Sequence, residues 1–225
     1  MAKPTSTHVA AYNAGNALVA ADGRLFSHVF DRNCPPIIAA LTPWLAARSG
    51  TVLEIGSGTG QHAGACALAF GGLTWQASDR EPDHRASIVA WAAHLRLASP
   101  PPLALDAATD WAARPDVAAL GPLSAVVSMN VIHIAPFAVA EGIVAGAARA
   151  LAPGGLLIFY GPFKVNGAHI SEGNAAFDAG LRAENPEWGL RDTARIESLA
   201  VAAGLEFAAL QAMPANNRLF VLRKP

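Results

Sequence analysis

Four side chains with acid–base or hydrogen-bonding chemistry, Glu54, Asp79, Asp106 and Asn130, stand at or beside the ends of four successive short apolar runs. Between the first two lies Gly56-Ser57-Gly58-Thr59-Gly60, with glycine at every second position. A carboxylate offers two oxygens and no donors, which suits the paired hydroxyls of a ribose or the amino group of a purine. A glycine turn lets backbone N–H groups and bare Cα atoms lie against a nucleotide-like ligand. Taken singly, an Asp after a strand is more often a helix cap or a turn residue. Three acids after three successive strands point to a site.

Such residues need a scaffold that brings strand ends together. Apolar periodicity and turn residues predict strands at 51–55, 73–78, 103–105, 124–129, 156–160, 206–212 and 219–223. Helices are expected at 61–70, 83–97, 136–151 and 193–203. This alternation predicts an α/β, Rossmann-like fold with a seven-stranded, mostly parallel sheet and helices on both faces. Only residues 214–217 join the last two strands, too short a link for a parallel crossover, so the last strand is expected to be antiparallel. Residues 1–225 are read as one domain. Two regions fall outside the alternation, residues 1–50 as an N-terminal cover and the polar stretch 161–192 as a lid or substrate insertion. Ligands of such sheets bind outside the carboxyl ends of the strands where strand order reverses. Glu54, Gly56, Asp79, Asp106 and Asn130 should therefore converge.

Spacing separates two ligand classes. The dinucleotide fingerprint Gly-x-Gly-x-x-Gly/Ala, counted from Gly56 and Gly58, places Gln61 at its third position, whereas counting from Gly58 and Gly60 places Ala63 there. The shifted form keeps a nicotinamide-dependent oxidoreductase open. Against it, a carboxylate at Glu54 would repel a phosphate but attract the sulfonium and ammonium of S-adenosylmethionine. That cofactor is the expected one. Asp79 would take its ribose hydroxyls, Asp106 its adenine amino group, and the Ala107 N–H a ring nitrogen.

Composition removes other classes. Hydrophobic residues make up 52% and charged ones 15% of 225, which predicts a sizeable core rather than disorder. Net charge is −1 and no Lys/Arg block occurs, so no nucleic acid is expected as partner. The tract 139–160 is broken by Glu141, Arg149 and Pro153-Gly154-Gly155, which excludes it as a membrane span. The two cysteines, Cys34 and Cys66, cannot build a disulfide framework and suit the reducing cytoplasm, and residues 1–22 lack a secretory h-region. No His or Cys pair has metal-ligand spacing, so no metal is expected. A small-molecule substrate and a monomer or homodimer complete the expectation.

Several blocks beyond the glycine turn, in order Ser128-Met129-Asn130-Val131-Ile132-His133-Ile134, Tyr160-Gly161-Pro162-Phe163, Asn174-Ala175-Ala176-Phe177-Asp178, Trp188-Gly189-Leu190-Arg191-Asp192 and Met213-Pro214-Ala215-Asn216-Asn217, resemble the domain-of-unknown-function family DUF938. This family includes methyltransferase-like protein 26, and the resemblance covers the chain from about Phe26 to Arg223. It implies a class I methyltransferase fold that binds S-adenosylmethionine, with the cofactor loop at Glu54, Gly56, Ser57, Gly58 and Gly60. It also implies that Arg32, in the Arg32-Asn33 pair before the first core helix, meets the methionine carboxylate of the cofactor. The chain departs from the family at Ser27-His28-Val29-Phe30-Asp31 and at Cys34-Pro35-Pro36.

The expected reaction is methyl transfer to an O or N nucleophile of a small molecule, which calls for orientation, exclusion of water and, for some acceptors, removal of a proton. His133, just past the fourth strand, is the candidate base, with capping of the following helix or packing beneath Pro136 and Phe137 as its bland alternative. Tyr160 at the end of the fifth strand is the second catalytic candidate. In the lid, His169, Asn174 and Asp178 are candidates for substrate contact, the last two sharing a helix face. Ser171 is the alternative N-cap there, and Arg182, Arg191 and Asp192 are expected to form an ion-pair network that fixes the lid. A non-catalytic cofactor- or partner-binding protein on the same fold is the alternative function, since fold does not establish reaction.

Overall fold

Residue 50 begins β1 (Gly50–Ile55), and its side chains go alternately to two apolar layers: Val52 into one, Leu53 and Ile55 into the other. Period-two alternation sets Glu54 on the Val52 face. The chain, a computed structural model, is described over residues 18–225; the part of the expected cover before residue 18 lies outside the described residues. The remaining core strands are β2 (Leu73–Asp79), β3 (Leu103–Ala104), β4 (Leu123–Met129), β5 (Leu151–Val165), β6 (Glu206–Met213) and β7 (Asn217–Arg223). Their order across the sheet is β6-β7-β5-β4-β1-β2-β3. From β3 to β5 all pairs are parallel, and β7 is antiparallel to both its neighbours, as expected of the last strand. Strand order reverses between β1 and β4, and both end at the same edge.

Helices α1 (Phe30–Leu45) and α2 (Gln61–Ala69) share one apolar layer, with α3 (Pro82–His94) beside α2. Helices α4 (Phe137–Ala150) and α6 (Thr193–Ala202) fill the other layer. The region 1–50 is therefore more than a cover. Ile37, Leu41 and Leu45 of α1 are fully buried against the sheet, and only the first turn of that helix reaches the strand ends. The resemblance led to a first core helix beginning after Arg32-Asn33; α1 instead starts at Phe30 and carries Pro35 and Pro36 inside. Prolines remove helix donors, which hides a helix from a periodicity reading.

Before α1 a short hairpin, Leu18–Val19 with Leu25–Phe26, is fastened to the core by buried side chains. Ser87 accepts from the Leu25 N–H at 2.8 Å and donates to the Thr59 carbonyl at 2.7 Å, while the Ser27 N–H donates to Gln61 Oε1 at 2.6 Å. The strap and the glycine loop are thus tied by the same side chains.

The insertion 161–192 is ordered. β5 runs on to Val165 and pairs with the two-residue strands Ala168–His169 and Arg191–Asp192, between which lies α5 (Glu172–Glu184). No helix among the described residues is long and apolar enough to cross a membrane.

Helix α4 presses on the loop after β3. A Cβ placed on Gly142 would lie 1.9 Å from the Ala107 carbonyl oxygen, a backbone atom. Helix propensity favours alanine by about 1 kcal/mol, but overpacking against backbone outweighs it. Gly142→Ala is expected to destabilise the protein by about 2 kcal/mol in urea unfolding. An unchanged midpoint would show that α4 can shift without cost.

Candidate functional site

A cavity of about 650 Å³ opens at the strand-order reversal, between the carboxyl ends of β1, β2 and β4 and the cover segments. This lies within the range typical of small-ligand sites. Ten of the sequence-predicted residues line it: Arg32, Gly56, Ser57, Gly58, Asp79, Asp106, Ala107, Asn130, His133 and Asn174.

The glycine loop divides its labour. Gly56 has φ 74 and Gly60 φ 85, and a Cβ at either would collide, with Val131 at 2.5 Å or the Ile88 backbone at 2.8 Å. Gly58 at φ 54 faces open space, so it is the bare surface of the loop. Gly60 is not on the cavity wall; it caps α2 and lets α3 approach.

Asp79 binds the loop directly. One carboxylate oxygen accepts from the Gly58 N–H at 2.8 Å, the other from the Glu81 N–H at 2.9 Å and from His84 Nδ1 at 3.1 Å. Burial opposes a charged His84, but the Asp79 hydrogen bond and charge outweigh it and raise its pKa. The Gly58 N–H is a donor that a pyrophosphate would need at this loop, and here it already serves a carboxylate. A phosphate would meet a negative charge, which argues against the dinucleotide reading.

Glu54 corrects the sequence reading. Its carboxylate is 1% exposed and accepts from Trp75 Nε1 at 2.8 Å, beneath the loop rather than in the cavity. Burial pushes its pKa up from 4.5 to about 7, against the hydrogen bonds of Trp75 and Ser57. The repulsion of phosphate assigned to Glu54 therefore belongs to Asp79.

At the end of β3, one Asp106 oxygen accepts from the Ala108 N–H at 3.0 Å, as in an Asx turn. Its other oxygen and the Ala107 N–H make no hydrogen bond among the described residues. Past β4, Asn130 adopts φ 59, a left-handed conformation uncommon outside glycine. This bend turns the chain into the segment that carries His133.

His133 is 5% exposed, and its ring stands edge-on to Phe177 with centroids 5.8 Å apart. Burial first, and the Arg191 charge second, depress its pKa to about 4, so the ring is neutral at physiological pH. Arg191 fixes that segment: its guanidinium donates to the carbonyls of Ile132, Ala135 and Glu187. Burial, with the charges of Arg182 and Arg195, lowers Arg191 itself to about 10.

Besides Glu54 and Gly60, three candidates lie off the cavity wall. Tyr160 is buried, its hydroxyl accepting from Asn217 Nδ2 at 3.0 Å, and burial raises its pKa; it packs one layer behind the wall. His169 and Asp178 belong to a cluster that pins the cover. Asp178 accepts from His169 Nε2 at 2.8 Å, Lys164 Nζ at 3.0 Å, Arg182 Nε at 3.2 Å and the Leu190 N–H at 2.7 Å. Burial opposes its charge, yet those donors hold the carboxyl well below the usual carboxylate range. The expected Arg182–Arg191–Asp192 network is not formed: Arg182 pairs with Asp178, Arg191 with carbonyls, and Asp192 caps α6. Ser171 caps α5 by accepting from the Asn174 N–H, and Asn174 still lines the cavity.

The structure adds wall residues that carried no role in the sequence reading. His62 follows the glycine loop, Arg80 follows Asp79, and Asn33, Phe177 and Asn217 close the far end. Phe177 is one helical turn from Asn174, and Asn217 ends a family block, so both positions were in view without a function. Buried His62 Nδ1 and Arg80 Nη1 have no partner among the described residues. Burial lowers the His62 pKa to about 4.

A ligand with acceptors for Arg80, donors for the open Asp106 oxygen and a flat face for Gly58 fits this donor set. Adenosine has all three, and the residues present therefore fit S-adenosylmethionine.

Comparison with known proteins gives a family and a fold. The family described as "Protein of unknown function (DUF938)" matches residues 24–224. The chain belongs to the DUF938 family. Among solved structures, this DUF938 chain is similar to an O-methyltransferase family protein from Burkholderia thailandensis, with TM-score 0.71 and 17% identity over 84% of this chain and 55% of that one. It is similar to a magnesium protoporphyrin IX methyltransferase from Synechocystis PCC 6803 with bound SAH, with TM-score 0.61 and 16% identity over 84% and 82% of the two chains. It also resembles an O-methyltransferase from neocarzinostatin biosynthesis, in complex with S-adenosylmethionine and 2-hydroxy-5-methyl naphthoic acid. There the TM-score is 0.68 and the identity 18%, over 88% of this chain and 55% of that one. The chain thus spans little more than half the length of the first and third of these proteins. Its fold is the Rossmann-like methyltransferase fold.

Proposed function

We propose that this DUF938 protein is an S-adenosylmethionine-dependent methyltransferase acting on a small molecule. The observation that carries the reading is the cavity at the β1/β4 reversal, where the open face of Gly58, Asp79 and Asp106 sit together. The SAH and S-adenosylmethionine held by two structural neighbours support it. Both cysteines are free, buried thiols, which supports a cytoplasmic setting. A monomer or homodimer with no nucleic-acid partner is part of the same proposal.

When bound, the cofactor supplies an activated methyl group on sulfur. Asp79 would accept from one ribose hydroxyl, since about four lone-pair sites are available to a carboxylate and three are used internally. Asp106 and Ala107 would meet the adenine, and Arg32 the methionine carboxylate. The Arg32 Nε donates to Asn33 Oδ1 at 3.1 Å, which orients the guanidinium and leaves its other donors for that carboxylate. The cover formed by α5 and the strap would exclude water and hold the acceptor in line.

His133 would accept a hydrogen bond from the acceptor hydroxyl and take its proton as the oxygen becomes acidic. A base of pKa about 4 is already deprotonated but weak. Its contribution is therefore mainly orientation. His133→Ala is expected to lower kcat by about tenfold, short of the ~10²–10⁴ of a well-matched base. Cofactor affinity should stay within about twofold. A fall in stability with kcat unchanged would assign His133 to packing.

Incubating the protein with methyl-labelled cofactor and a fractionated metabolite extract tests the reaction. Label in a small-molecule fraction is the predicted outcome. Cofactor binding with no transfer to any fraction would favour a non-catalytic binding protein.

A further inference from the structure

Charge is distributed unevenly along the cavity. Among the described residues the acids on its wall are Asp79 and Asp106, both at the ends of β2 and β3 where adenosine is placed. Beyond Asn130 the polar and aromatic wall residues include Arg32, Asn33, His133, Asn174, Phe177 and Asn217, without a carboxylate among the described residues. The charged groups behind this wall are committed, Asp178 to Lys164, His169 and Arg182, and Arg191 to backbone carbonyls. Among the described residues Arg32 is the one guanidinium or ammonium group on the wall at this end, and it is assigned to the cofactor carboxylate.

What remains is neutral and partly aromatic. Phe177 is 44% exposed, a large apolar ring on the cavity wall and edge-on to His133. Asn33 Nδ2 and the side-chain oxygens of Asn174 and Asn217 make no hydrogen bond among the described residues, so they offer donors and acceptors to a hydroxyl. An ammonium group placed here would be desolvated with no counter-charge.

We infer that the acceptor is an uncharged, flat hydroxy compound of the phenol class and that amines are rejected. The inference rests on the methyl-transfer reading and deepens it. The hydroxyl oxygen bonds the methyl carbon as the carbon–sulfur bond breaks. The electron pair stays on sulfur to give S-adenosylhomocysteine, and the hydroxyl proton passes to His133.

Three rings of matched size, 4-methylphenol, benzoate and benzylamine, are titrated calorimetrically into protein first shown to be saturated with S-adenosylhomocysteine. The expected result is that 4-methylphenol binds about tenfold tighter than either charged ring. Phe177→Ala should weaken 4-methylphenol about tenfold, because an aromatic contact and its burial are lost. S-adenosylhomocysteine binding should stay within about twofold in that variant. Tighter binding of benzoate would give Arg32 to the acceptor and overturn the inference, as would tighter binding of benzylamine. Equal binding of all three, or binding of none to the saturated protein, would also overturn it. Failure of the protein to take up S-adenosylhomocysteine in the first step would instead sink the methyl-transfer reading, and this inference with it.

Discussion

Asp79→Ala is expected to raise the dissociation constant for S-adenosylmethionine by roughly ten- to hundredfold, the equivalent of about 1–3 kcal/mol. Two losses combine in this variant. The ribose loses a charged acceptor, and the Gly58 and Glu81 N–H groups lose the oxygens that fix the bare face of the loop. Asp79→Asn keeps one oxygen for a loop donor and should fall between the two proteins. Calorimetric titration of the three proteins reads the series. Equal affinities would remove Asp79 from the site and leave it as a loop brace alone.

The second large effect concerns pH. Glu54 is wholly enclosed, and its carboxyl is pushed from 4.5 to about 7 by burial. For a carboxyl with a raised folded pKa, the folded state holds the extra proton between those two values. Stability is then highest below the lower value, falls as pH rises through the window, and is flat above it. At about 1.4 kcal/mol per pH unit the full cost is roughly 3 kcal/mol above pH 7. Glu54→Gln keeps an oxygen for Trp75 and cannot ionise, so its advantage over the natural protein should grow from pH 5 to pH 8. His62 and His133, both depressed to about 4, push the other way. Their folded forms bind fewer protons between 4 and 6.5, so their share of stability is lost as pH falls through that window. The difference between the two proteins cancels that background. Parallel urea-unfolding curves against pH would show that Glu54 is ionised at no cost.

Much of the sheet was legible because buried parallel strands read as short apolar runs ending in polar residues. β1, β2, β4 and the antiparallel closing pair could be placed from runs and turn lengths. The strand ends likewise foretold that Asp79, Asp106 and Asn130 share one cavity. Glu54 was misjudged although the rule was at hand. It lies one residue before the strand's last, on the same face as Val52, and so points into the α1–α2 layer. Proximity in sequence to a glycine loop does not set side-chain direction; the pleat does. Tyr160 shares that face with Ile158 and meets the same fate.

The lid was harder. Asn174 and Asp178 share a helix face, and Arg182 follows Asp178 by one turn, but Lys164, His169 and Gly189 come from separate segments, and their meeting around Asp178 is a tertiary event. No local pattern shows that this Asp is also taken by Lys164 and His169. Helix α1 was hidden by its prolines, and with it Asn33 as part of the wall. The 214–217 turn was read as a connector. Its residues Ala215 and Asn216 take left-handed φ values of 55 and 57, an unusual geometry for residues bearing a Cβ, and the turn ends in the cavity wall.

Titrating purified protein with S-adenosylhomocysteine in a calorimeter tests the central claim most directly. One saturable site with a dissociation constant in the micromolar range is predicted, unaffected by excess NAD. A folded protein that gives no binding heat up to about 1 mM ligand, or one from which NAD displaces the nucleoside, would contradict it.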